Sequence, residues 1–296
     1  MLLAYLVAKK RILVLVCLWL ACLSVCLRLF RSQRVLLSMS QLPGVPVKPN
    51  PVQDELIDAV LTFPLLTDPH WNSHGYRHLT YQQREARMDE YIESLANTLA
   101  HPRIGSVHCL YDQEALVGYV RRTISSNKLK FHYHNETHLA LSLFRFAFQS
   151  LHGHLVMVLQ ADTYPAHGFQ YVVGATMRKK NLFYALTRHG KMEATCDMHG
   201  DFCDDREYVG SHDAYIFVPT GELSARHGDV LNKKTMSWGV DLVIAWVFDD
   251  MGYRVLNPCK VIFLYHLHCT WVRDVGRVRV NTFNTTGWFP PTTSLS

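Results

Sequence analysis

Hydrophobic positions along this chain form one long unbroken run near the start, then short runs whose period alternates between strand-like and helix-like. The unbroken run, Ile12 to Leu27, carries no charge over its 16 residues. That is slightly short of the roughly 20 residues needed to cross a typical hydrocarbon core, and Leu29 and Phe30 extend it if Arg28 snorkels to the interface. The pattern predicts a transmembrane signal-anchor over 12–30, a cytosolic tail over 1–11, and a stem over 31–55, where LPGVPVKPNP is Pro-rich and aperiodic. A cleaved signal peptide is the competing reading, disfavoured because Arg-Leu-Phe-Arg follows the run in place of a small-x-small cleavage site.

Beyond Asp54 the pattern is that of a globular domain, expected over 56–280 with a tail at 281–296. Residues 81–100 place Met88, Tyr91, Ile92, Leu95 and Leu99 at 3–4 spacing, which predicts a helix. IGSVHCLYD, from Ile104, predicts a strand ending near Asp112. A second helix is expected over 137–151, with Gly153 just past its end. HLVMVLQAD is a continuous apolar run of the kind found in a strand buried on both faces. LFYALTR and DAYIFVP predict further strands, 239–252 a helix, and RVLNPCKVIFLYHLH a closing strand pair. Strand and helix alternate, so the fold class is α/β, with a mostly parallel central sheet flanked by helices and one transmembrane helix ahead of it.

Charge and cysteine place this domain more than they describe its chemistry. The formal net charge is +5, but Lys9, Lys10, Arg11, Arg28, Arg31 and Arg34 flank the apolar run, and the rest of the chain is nearly neutral. Nothing basic clusters in the body, which argues against nucleic acid as a partner. Two sequons, at Asn135 and Asn284, agree with a lumenal domain. Of eight cysteines, Cys17, Cys22 and Cys26 lie in the apolar run. Cys109, Cys196, Cys203, Cys259 and Cys269 remain, enough for two disulfides and one thiol. The short separation of Cys196 and Cys203 makes that pair the first expectation. A short span suits the thinner membranes of the early secretory pathway, so an endoplasmic-reticulum or Golgi type II protein is expected.

Three segments can carry chemistry. The strand LVMVL delivers Gln160, Ala161 and Asp162 to its carboxyl end, where ligands of open α/β sheets bind. A carboxylate there holds a hard cation or a ribose hydroxyl, or else caps the next turn. Tyr265-His266-Leu267-His268 puts two imidazoles on one face of a strand, and neutral imidazole ligates manganese or zinc. Gly239-Val240-Asp241 sets an acid at a helix start, either a capping group or a general base. Ser211-His212-Asp213 opens a strand with the same ambiguity. Adjacent residues cannot converge as a catalytic triad, and no P-loop, GxGxxG or GxSxG is present.

Taken in order, these landmarks resemble a little-characterised family of GT-A-type glycosyltransferases, over about Tyr81 to Arg273. The resemblance rests on Val107-His108-Cys109-Leu110, Leu155 to Tyr164, Tyr184-Ala185-Leu186-Thr187-Arg188, Asp213 to Phe217, Gly239 to Asp241, Gly252 to Pro258, and Tyr265 to His268. It implies a nucleotide-sugar donor contacting Asp162, Gln160 and Ala161, and a divalent cation, expected to be manganese, held by Asp162 with His266 or His268. Asp241, with Asp213, takes the catalytic role, and the acceptor is a hydroxyl of a glycan or glycoconjugate. Two departures stand out. Gln160 replaces the usual Asn of an Asn-x-Asp pattern, and Tyr164, Pro165 and Ala166 follow Asp162 without a second acid. His167 is a possible substitute ligand. Residues 56–80 match the expected first nucleotide-binding strand poorly. The alternatives are a catalytically silent glycan-binding relative, which the missing acid favours, and a metal-dependent hydrolase.

Overall fold

A computed structural model describes residues 55–68, 79–190, 202–206, 208–235, 237–270 and 279–296. The apolar run at 12–30, most of the stem and Cys196 lie outside these residues. Among the described residues no helix is long and apolar enough to cross a membrane.

The core is a seven-stranded sheet. Its strands are β1 (Ile57–Thr62), β2 (Ile104–Tyr111), β3 (Leu129–Tyr133), β4 (Val156–Leu159), β6 (Leu182–Leu186), β7 (Ala214–Phe217) and β8 (Arg254–Leu256), in the spatial order β3-β2-β1-β4-β7-β6-β8. The pairings β3–β2, β2–β1, β1–β4 and β6–β8 are parallel, and β7 runs antiparallel to both β4 and β6. The sheet is therefore α/β and mostly parallel with one reversed strand. β5 (Thr163–Pro165) and β9 (Leu264–His266) form a separate antiparallel pair.

The helices are α1 (Tyr81–Ala100), α2 (Glu114–Thr123), α3 (Ala140–Ser150), α4 (Gly174–Lys180), α5 (Ala225–Leu231) and α6 (Val240–Asp250). They cover both faces of the sheet, and the strands read accordingly. On β4, Met157 and Leu159 pack with Met88 and Leu95 of α1, whereas Val156 and Val158 pack with Phe144 of α3 and Phe248 of α6. Two-sided burial is the reason β4 and β7 are unbroken apolar runs. Thr80 caps α1 in a reciprocal capping box with Gln83.

Several sequence expectations change. The last two strands do not pair with each other: β8 extends the main sheet beside β6, and β9 leaves it to join β5. β1 lies inside the sheet between β2 and β4, in the segment that matched poorly. Asp58 interrupts its apolar run, and its carboxylate turns to His154 Nδ1 at 2.8 Å. Cys203 pairs with Cys259, not with Cys196, because the fold brings the start of the 202–210 segment against the turn after β8. Cys269 is also disulfide-bonded, and Cys109 is a buried free thiol. Residues 279–296 pack on the domain: Gly287 donates to the Leu242 carbonyl at 2.9 Å and Tyr184 Oη to the Leu295 carbonyl at 2.7 Å.

Candidate functional site

The site lies where β4 and β7 meet the β5–β9 pair. β4 ends at Leu159, and the Gln160 amide donates to the Asp213 carbonyl at 2.9 Å, tying the exit of β4 to the entry of β7. Thr163 Oγ1 donates to the Gln160 carbonyl at 2.8 Å and closes a turn that holds Ala161 and Asp162. β5 then pairs Thr163 with His266, and the Leu267 amide donates to the Asp162 carbonyl at 2.7 Å. This register carries two residues 104 apart in sequence into contact. His266 Nε2 lies 3.1 Å and His268 Nδ1 3.6 Å from the same Asp162 Oδ2.

Asp162 has a third partner. Arg87, on the buried face of α1, donates from Nη2 to Oδ2 at 2.5 Å. Its other amino group, Nη1, donates to Glu90 at 2.5 Å and to the Leu267 carbonyl at 3.2 Å, and its guanidinium lies 4.5 Å from the Tyr91 ring centroid. Glu90 accepts in turn from the Thr270 amide at 2.7 Å. Burial alone raises the Asp162 carboxyl, but His266 and Arg87 outweigh it and hold it well below the usual carboxylate range.

A second group of charges adjoins the first. Asp213 is fully buried and accepts from Arg188 Nη1 at 2.7 Å and from the Arg188 amide at 3.3 Å. Sequence reading gave Asp213 a catalytic part. In the structure its carboxylate is engaged in fixing Arg188. Burial works against the Arg188 charge, and the fields of Asp213, Asp162 and Asp241 together raise its pKa, with Asp213 its partner in contact. Asp241 stands in the first turn of α6, with Tyr215 Oη donating at 3.5 Å. Desolvation, then the negative charge of Asp213, push it up to about 8, against the pull of Arg188. Burial presses His212 down to about 4, so it stays neutral near pH 7, within 3.0 Å of Tyr208 Oη.

Asp162, His266 and His268 are the one group among the described residues whose ligand atoms lie close enough together to hold a metal ion. Two ligands about 2.1 Å from a common cation stand roughly 3–3.5 Å apart, and the 3.1 and 3.6 Å separations on Oδ2 are of that size. One carboxylate oxygen and two imidazole nitrogens suit manganese or zinc better than magnesium. Arg87 takes one lone pair of Oδ2 and leaves others available. The residues therefore fit a divalent cation. His167 is not part of this group; its ring stacks on Phe263 at 3.7 Å.

Arg87, Glu90 and Tyr208 belong to this site and were not singled out from sequence, and Arg188 stood there only as the end of a landmark, with no role. The visible signal was in α1, where Arg87 and Glu90 fall at i,i+3 beside the apolar positions Met88 and Tyr91. A charged pair on a buried face needs partners elsewhere in the fold.

No protein-family model and no curated protein matches the chain. Among solved structures it is similar to 4-diphosphocytidyl-2C-methyl-D-erythritol synthase from Anaerococcus prevotii, at 12% identity, 68% of this chain, 85% of that one and a TM-score of 0.37. It is also similar to TarS 1–349 of S. aureus, at 12% identity, 72% of this chain, 60% of that one and a TM-score of 0.39. The same S. aureus protein in complex with UDP-GlcNAc gives 12% identity, 79% of this chain, 62% of that one and a TM-score of 0.37. The chain thus spans less than two thirds of the TarS chains. With every TM-score below 0.5, the functional reading rests on the site.

Proposed function

We propose that this chain is a glycosyltransferase that moves a sugar from a nucleotide-sugar donor to a hydroxyl of a glycan or glycoconjugate. One observation carries the reading. His266 and His268 converge on a single Asp162 carboxylate oxygen beyond the carboxyl end of β4, and Arg188 and Asp241 stand within electrostatic reach. An open α/β sheet binds its ligand at that edge.

In this reading the donor diphosphate lies over Asp162, with Arg188 offsetting charge that grows on the leaving group. Asp162, His266 and His268 would hold a divalent cation, which supplies Lewis-acid stabilisation of the diphosphate. Asp241 accepts the proton of the acceptor hydroxyl as the new glycosidic bond forms and the bond from sugar to phosphate breaks. Asp213 positions Arg188. The residues 12–30 anchor the chain with its domain in the lumen of the endoplasmic reticulum or Golgi. Asn135 and Asn284 are both exposed, as glycan attachment requires.

A silent glycan-binding relative is the second reading, favoured by Arg87, which already offsets the charge of the one acid in the Asp162 group. The test is release of nucleoside diphosphate from a panel of nucleotide sugars, with candidate glycan acceptors and manganese. Acceptor-stimulated release that is lost in Asp241→Asn is the expected result. No release from any donor would support the silent reading.

A further inference from the structure

Two tryptophans stand in the open beside Asp241, where burial would be the usual fate of an indole. Trp238 is 42% exposed and Trp288 is 54% exposed, and Val209, next to the Tyr208 that Trp288 meets, is 61% exposed. Trp238 comes just before the Gly239 cap of α6, three residues ahead of Asp241. Its carbonyl accepts from the Val280 amide at 2.9 Å.

Trp288 is held firmly although half of it is exposed. Its ring meets Tyr208 edge-on with centroids 4.8 Å apart, and Tyr208 Oη lies 3.0 Å from His212 Nε2. The preceding residue, Gly287, donates to the Leu242 carbonyl, and a Cβ on it would approach the Trp246 amide to 2.5 Å. Gly210 has φ +79°, and a Cβ there would stand 3.1 Å from the Trp288 ring and 2.6 Å from Leu242. Glycine at 287 lets this loop lie against the backbone of α6, and glycine at 210 leaves room for the Trp288 ring. Leu242, whose carbonyl Gly287 engages, directly follows Asp241, so this indole stands beside the first turn of α6 that carries the candidate base.

A rigid, exposed aromatic face next to a carboxylate is what a ligand with both an apolar face and hydroxyl groups requires. A pyranose is such a ligand, with C–H bonds on its faces and hydroxyls at its edge. We propose that Trp288 and Trp238 form a carbohydrate-stacking platform, on which the apolar face of an acceptor pyranose lies with a hydroxyl turned towards Asp241. The proposal rests on the transferase reading and names the acceptor as a sugar ring. The Trp288 indole is already held by Tyr208, so little side-chain entropy is lost there when a sugar docks.

The test is saturation-transfer NMR on the full chain with methyl glycosides of glucose, galactose, mannose and N-acetylglucosamine, alongside thermal shift with nucleoside diphosphates. At least one glycoside is expected to receive saturation mainly on ring protons of one face. Trp288→Ala is expected to weaken that signal at least about tenfold, in the range of a lost aromatic anchor. Trp288→Phe retains most of it, and Tyr133→Ala, on the far edge strand, leaves it unchanged. The nucleotide shift stays the same in all three variants. Equal glycoside signals in wild type, Trp288→Ala and Trp238→Ala would overturn the platform, as would a nucleotide shift with no glycoside signal at all. Glycoside signals that depend on Trp288 without any nucleotide shift would keep the platform and overturn the transferase reading.

Discussion

Arg87 Nη2 donates to Asp162 Oδ2 at 2.5 Å, joining α1 to the turn after β4 across 75 residues of sequence. Both side chains are buried, and the same Asp162 oxygen faces two histidines. The candidate cation group therefore has a resident positive charge as its neighbour.

Replacing Arg87 with Met leaves Asp162 and Glu90 buried without their cation. The expected cost is about 3–5 kcal/mol, as for other buried pairs that lose one partner, read by urea denaturation at pH 7. Asp162 has a lowered pKa, so its contribution is present above the ordinary carboxylate value of 3.8 and is lost as pH falls below it. The gap between wild type and Arg87→Met should accordingly narrow in acid.

Asp241 behaves in the opposite sense. Its carboxyl is raised from 3.8 to about 8, so between these values the folded chain holds a proton that the unfolded chain has released. Stability falls as pH rises through that window and levels off above it. Asp241→Asn should remove this slope in denaturation curves collected from pH 4 to 9. The transfer rate should climb with pH and level off above about 8, and Asp241→Asn should lower it by roughly 10²–10⁴-fold.

The Cys203–Cys259 bridge spans 56 residues and ties down the segment that leads to Tyr208 and Asp213. The double substitution Cys203→Ser, Cys259→Ser should cost about 2–4 kcal/mol, seen as a lower denaturation midpoint. Limited proteolysis should cut the 202–210 segment earlier in this variant than in wild type.

Much of this architecture was legible where one local pattern dominates. The apolar spacing of Met88, Tyr91, Leu95 and Leu99 gave α1, and the run at Val156 to Leu159 gave β4. β1 escaped because Asp58 interrupts its apolar run. β3 carries the alternation Leu129-Lys130-Phe131-His132-Tyr133 of a half-buried edge strand and was readable, though not among the expected elements. Asp162, His266 and His268 were each visible alone, as a carboxylate ending a strand and as paired imidazoles. Their meeting depends on the β5–β9 pairing, which joins segments about a hundred residues apart and has no local signature. The roles of Arg87 and Arg188 were hidden for the same reason, since an arginine's partner is fixed by tertiary structure. Cys203 illustrates the limit of spacing arguments, because proximity in sequence favoured Cys196 and the fold selected Cys259.

The central claim is that Asp162, His266 and His268 form a cation-assisted nucleotide site. It is tested most directly by thermal shift of the full chain with uridine, guanosine, cytidine and adenosine diphosphates, each with and without manganese. A ligand at about a hundred times its Kd stabilises by about 2.7 kcal/mol, or a rise of roughly 5–10 °C for a domain of this size. The account predicts such a rise with one nucleotide, dependent on manganese and absent in Asp162→Ala. A rise of equal size in Asp162→Ala, or none with any nucleotide, would contradict it.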